Sequence, residues 1–239
     1  MLVFKRFLVI ALVMLALPVM VSAQTRPGQT SPDNREMSVE QSYLQESVEL
    51  MIIREQSRTD NRDMKMVALE YINDAIDRGN KSDEIRSALE FLSLEGVLNI
   101  SRENGRVVNN FPDVRVKAAT ALGKLGTPEA KDTLLKMVNR DNEPMVITEA
   151  IKSLGIIGMN DADEVTQTIY WTVNRFNTLN PDNMLALSAI DAFDKIATAN
   201  NGIKDRNVLE LLMKIANGTY ISPVKNRASE LLEKLRQYP

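Results

Sequence analysis

Any chemistry in this chain must come from carboxylates, lysines, arginines and amides, because its 239 residues include neither histidine nor cysteine. The commonest general base and metal ligand is therefore missing, as are disulfides, thiolate nucleophiles and cysteine metal sites. Asp161, Asp163 and Glu164 have the residue types for calcium but lack the length and spacing of an EF-hand loop. Capping of the following helix suits them better. Gly123 and Gly126 stand too near a helix end for a phosphate-cradling loop. Asn99-Ile100-Ser101 and Asn217-Gly218-Thr219 fit the glycosylation pattern, which is short enough to arise by chance. No catalytic constellation, cofactor motif or metal site emerges, so the chain is expected not to be an enzyme and to need no cofactor. Function must be sought on surfaces.

The elements that position those surfaces are read from Pro112 to Gly126, PDVRVKAATALGKLG. Ala118, Ala119, Ala121, Leu122 and Leu125 fall on one side of a helix ended by Gly123 and Gly126. Sliding by 32 residues puts Pro144, Ala150, Ile151, Leu154, Gly155, Ile157 and Gly158 onto the same pattern. Two further steps of 39 bring Ala189, Ile190, Phe193 and Ile196, then Ala228, Leu232 and Leu235 into register. A step of 50 backward brings Ala68, Leu69, Ile72 and Ala75. A small residue at the Ala118 position lets a neighbouring helix approach closely. Second amphipathic segments separate the five copies, so the unit is a helix pair, and pairs at this period predict an α-solenoid.

Asp113-Val114-Arg115 through Ala118-Ala119, Leu122-Gly123, Leu125-Gly126 and Thr127-Pro128-Glu129-Ala130 resemble the HEAT-repeat family, closest to its short phycobilisome-lyase-like repeats. Met145 and Ile147 stand where that family has Asp and Arg, and Asp194 and Ala197 replace both glycines. The resemblance therefore implies no continuous Asp/Arg ladder. It covers roughly residues 60 to 238 and implies an all-α, right-handed α-solenoid of HEAT-like helical hairpins. It also implies partner binding along the concave face lined by each pair's second helix. The run Gly105 to Pro112 further resembles exported spirochaete HEAT-repeat proteins.

At the start of the chain, Lys5 and Arg6, an apolar run from Phe7 to Met20 and then Val21-Ser22-Ala23 predict a signal peptide over 1–23, cleaved before Gln24. A run of about 15 residues is short for a bilayer span, and no cysteine follows for acylation. Export to the periplasm, or secretion, is expected. Removing 23 of 239 residues leaves 216, long enough for a core without disulfides. Losing Lys5 and Arg6 takes the net charge from −3 to −5, which disfavours nucleic acid and anionic membrane as partners. Residues 24–37, with Pro27, Gly28 and Pro32, read as a flexible tether, and 38–239 as the solenoid domain. Within it a first helix to about Ser57, carrying Leu44, Val48, Met51 and Ile52, should cap the N-terminal end. A short hairpin or loop insertion is expected near 97–111, since Asn104-Gly105 between β-prone runs favours a tight turn.

The surface candidates come from the second helices. If Val165, Ile169, Val173 and Phe176 form the third pair's core stripe, Trp171 points about 160° from Ile169, beside Glu164, Gln167 and Arg175. An outward Trp with Arg one turn on resembles an interface hot spot. Corresponding places are Phe91 and Glu95, Lys136 and Arg140, and Met213 and Asn217. The partner-binding candidates are thus Trp171, Arg175, Phe91, Lys136, Arg140 and Met213. The alternative is that stacked helices bury Trp171 or Phe91. The expected function is a noncatalytic scaffold of the cell envelope that binds a protein or peptide. The rivals are an enzyme or enzyme subunit of the phycobilisome-lyase type and a nucleic-acid binder.

Overall fold

Capping groups start and stop the helices where the repeat pattern requires. The structure, a computed structural model, describes residues 38–176 and 181–238; the expected leader 1–23 and tether 24–37 lie outside the described residues. The helices are α1 (Val39–Ser57), α2 (Arg62–Asp77), α3 (Asp83–Leu94), α4 (Pro112–Leu125), α5 (Pro128–Arg140), α6 (Pro144–Ile157), α7 (Glu164–Phe176), α8 (Asn183–Ala199), α9 (Arg206–Asn217) and α10 (Ser222–Leu235). Strands β1 (Arg102–Glu103) and β2 (Arg106–Val107) lie between α3 and α4. Side chains of Asn61, Thr127, Asp182 and Asp205 accept from first-turn N–H groups of α2, α5, α8 and α9, satisfying donors that have no partner within the helix. Ser82 takes the same place before α3 but makes no cap bond. Gly126 and Gly158, at φ 67° and 74°, end α4 and α6 by closing onto the carbonyls of Leu122 and Leu154.

The first helices α2, α4, α6 and α8 stack in one row and the second helices α3, α5, α7 and α9 in another, each second helix also meeting the next first helix. The chain is therefore an all-α solenoid of helix pairs, closed at its C-terminal end by α10, which lies mainly against α9. Ala68, Ala118, Ala150, Ala189 and Ala228, the five aligned small residues, are all fully buried. Their neighbours approach so closely that a Cβ on Gly155 would stand 2.6 Å from Cα of Ala192, and one on Gly123 would stand 2.9 Å from Cβ of Ser153. Glycine here serves the stacking of α4 on α6 and of α6 on α8.

The insertion is an antiparallel hairpin, Arg102 opposite Val107 and Glu103 opposite Arg106. Asn104 and Gly105, at φ 49° and 82°, are both left-handed, as the two-residue turn needs. Its base is fixed to the solenoid. Buried Asn109 donates to the Asn99 carbonyl at 2.7 Å and to Glu95 Oε1 at 3.4 Å, and accepts from the Ser101 N–H at 2.9 Å.

The N-terminal cap departs from expectation. α1 buries Ile53 and Ser57 rather than the stripe of Leu44, Val48 and Met51, which stays exposed at 63%, 51% and 54%. Three contacts set this rotation: Lys65 Nζ on the Ser57 carbonyl at 3.0 Å, Arg78 on Glu49 at 2.5 Å, and Asn80 on Glu46 at 2.9 Å.

Candidate partner-binding face

Buried ion pairs hold the first two helix pairs rigid beneath their surfaces. Arg115 on α4 donates from Nε to Asp141 at 2.6 Å, both side chains 2% exposed. Its Nη1 also reaches the Glu95 carbonyl at 3.2 Å and Asn110 Oδ1 at 2.8 Å. Lys65, at the equivalent place on α2, meets Glu95 at 2.8 Å. Ile147 occupies this place in the third pair, so the rungs stop there. The buried polar contact further along is Thr166 Oγ1 to Asp205 Oδ2 at 3.0 Å.

Asp161 and Glu164 also act differently from the capping role read in the sequence. Both accept from Lys131, a nearly buried lysine of α5. The Glu164 hydrogen bond raises the Lys131 pKa, and Asp161 adds to it against the opposing effect of burial. The acidic cluster therefore ties α5 to α7. Among the described residues no group of three or more His, Cys, Asp or Glu could hold a metal ion.

On the outer side of the second helices the candidates separate. Trp171 is 67% exposed, and Arg175 one turn on is exposed as well, its guanidinium 5.0 Å from the Phe176 ring. Tyr170 packs edge-on against the indole with ring centroids 5.2 Å apart. The Tyr170 hydroxyl donates to Glu210 on α9 at 3.1 Å. Burial, then the hydrogen bond to the Glu210 carboxylate, raises the Tyr170 pKa and keeps it a donor. Lys214 on α9 reaches Asn174 at 2.6 Å, and Lys136 on α5 reaches Glu90 on α3 at 3.0 Å. Arg140 is exposed at the end of α5. Met213 is 51% exposed and shares a stripe with Leu209 one turn back.

Two outward assignments are corrected. Phe91 is half-buried: it lines the cleft that α1 makes over α3, and Lys65 Nζ lies 5.4 Å from its ring. Glu95 is 4% exposed because it serves Lys65 and Asn109. The causes differ: α1 covers Phe91, whereas Lys65 and Asn109 at the hairpin's base enclose Glu95. The open face therefore runs over α5, α7 and α9, with an aromatic centre and cations at Lys136, Arg140, Arg175 and Lys214.

Paired, stacked helices of this kind define a class, the α-solenoid, here with exposed faces on α5, α7 and α9. Within it, residues 106–170 match the family model of HEAT repeats, from the second strand of the hairpin into α7. HEAT repeats generally mediate protein–protein interaction. No curated protein matches the chain. No helix among the described residues is long and apolar enough to cross a membrane.

Proposed function

We propose that this protein is an exported, noncatalytic scaffold of the cell envelope that holds a protein or peptide along the α5–α7–α9 face, with Trp171 as anchor. The observation that carries this reading is the exposed indole, held edge-on by Tyr170, which is itself bonded to the next helix pair. A large aromatic kept in the open costs little ordering entropy when a partner closes on it. Arg175 one turn on from it, and Arg140 at the end of α5, suit carboxylates of the partner. The basic, apolar-run and Val21-Ser22-Ala23 features of 1–23 support export, and the acidic net charge supports protein over nucleic acid as partner.

The test compares wild type with Trp171→Ala plus Arg175→Ala in pull-downs from the native envelope. Because Trp171 is exposed, its removal should change folding stability by less than about 0.5 kcal/mol. The expected result is loss of the partner with an unchanged unfolding curve. Unchanged recovery removes this face from consideration.

A further inference from the structure

We propose that α1 pairs with the α1 of a second copy of this chain, antiparallel about a two-fold axis, closing the N-terminal end of the solenoid. Terminal repeats of solenoids need a polar outer face, and α10 has one: opposite buried Val224, Ala228 and Leu231 stand exposed Asn226, Glu230 and Glu233. α1 does not. Opposite buried Ile53 stand Leu44, Val48 and Met51, all more than half exposed. Their spacing of four and then three residues is that of a coiled-coil seam. A cleft of 330 Å³ beside the seam runs between α1 and α2, with Val48, Ile52 and Tyr71 among charged Glu49, Asp74 and Arg78.

The flank of this seam says what covers it. Glu40, Ser47 and Arg54 stand seven residues apart on one side. In an antiparallel pair this side meets itself, so Glu40 lies against Arg54 of the second copy, twice, with the two Ser47 hydroxyls at the centre. A parallel pair would instead set this side against the opposite flank, Gln45 and Ile52 of the second copy, leaving Glu40 and Arg54 without opposite charges. Arg54 now contacts Glu55 at 3.5 Å with both side chains mostly exposed, a contact weak enough to exchange. Glu46 and Glu49 are engaged by Asn80 and Arg78, which turns them away from the seam. Three apolar residues per copy make a small interface, so association is expected at about 1–100 µM.

Sedimentation of the protein as isolated, from about 1 to 300 µM, tests the proposal. Wild type is expected to pass from monomer to dimer over this range. Val48→Glu should remain monomeric throughout with an unchanged melting curve. Glu40→Arg should weaken the dimer several-fold, and adding Arg54→Glu should restore it. A wild type monomeric at the highest concentration, a dimer that survives Val48→Glu, or a double charge reversal no tighter than the single one overturns the proposal.

Discussion

Arg115 and Asp141 bind one another at 2.6 Å with both side chains 2% exposed, joining the start of one helix to the residue that ends its partner. The pair is internal to a repeat, and Lys65 with Glu95 reproduces it one repeat earlier. Because Arg115 also reaches the Glu95 carbonyl, the two rungs are linked across the repeat boundary.

A buried charge left alone costs far more than its pair contributes. Arg115→Met should therefore destabilise the fold by about 3–5 kcal/mol, read from urea unfolding. Arg115→Met with Asp141→Leu should lose less than the sum of the two single changes. Strict additivity would disprove the coupling.

Gly155 tests the close stacking of α6 on α8. Alanine in a helix interior normally gains about 1 kcal/mol over glycine, but here its Cβ meets the backbone of Ala192. Gly155→Ala should instead lose about 1–3 kcal/mol, and Ala192→Gly in the same chain should not restore it, because the nearest atom is the Ala192 Cα. A more stable Gly155→Ala protein contradicts the packing.

The hairpin's rigidity rests on Asn109. Asn109→Ala leaves the Ser101 N–H without its partner and the Asn99 carbonyl with the Gly96 N–H alone, a local loss of about 1–3 kcal/mol. Amide exchange at Ser101, and at Val108 bonded to the Ser101 carbonyl, should accelerate while the amides of α6 and α8 keep their protection. Exchange that stays slow at both would show that the turn alone holds the hairpin.

Asp194 predicts the acid response of the C-terminal cap. Burial alone would raise its pKa, but hydrogen bonds and charge from Lys234 and then Arg227 outweigh burial and bring it below the ordinary aspartate value. A lowered folded-state pKa gives stability that is present above the unfolded value of about 3.9 and lost as pH falls through the folded one. Wild type should exceed Asp194→Asn by about 1 kcal/mol at neutral pH, and the gap should shrink at an acidic pH below the unfolded value. Melting curves at the two pH values check this; an equal gap at both means the carboxylate's charge contributes nothing.

Much of the fold is legible in the chain because it is periodic and local. The alanines at the Ala118 position, Gly126 and Gly158 as helix stops, and Asn104-Gly105 as a hairpin turn each act within a few residues. All appear in the structure as read. The second-helix stripes also follow from spacing, which sets Trp171 opposite Ile169 on its own helix but leaves open whether a neighbouring helix covers it.

What only the tertiary structure decided concerns coverage and long-range pairing. Phe91 and Trp171 occupy corresponding helix positions, yet α1 covers the first and nothing among the described residues covers the second to the same extent. Glu95 reads as a surface residue until Lys65, thirty positions earlier, is brought to it. Asp161 and Glu164 read as capping residues until Lys131 reaches them from α5. Helical spacing fixes which side a residue takes on its own helix, whereas the neighbour on that side depends on packing between distant segments. That dependence is greatest at the ends of the array, where the repeat no longer supplies the neighbour.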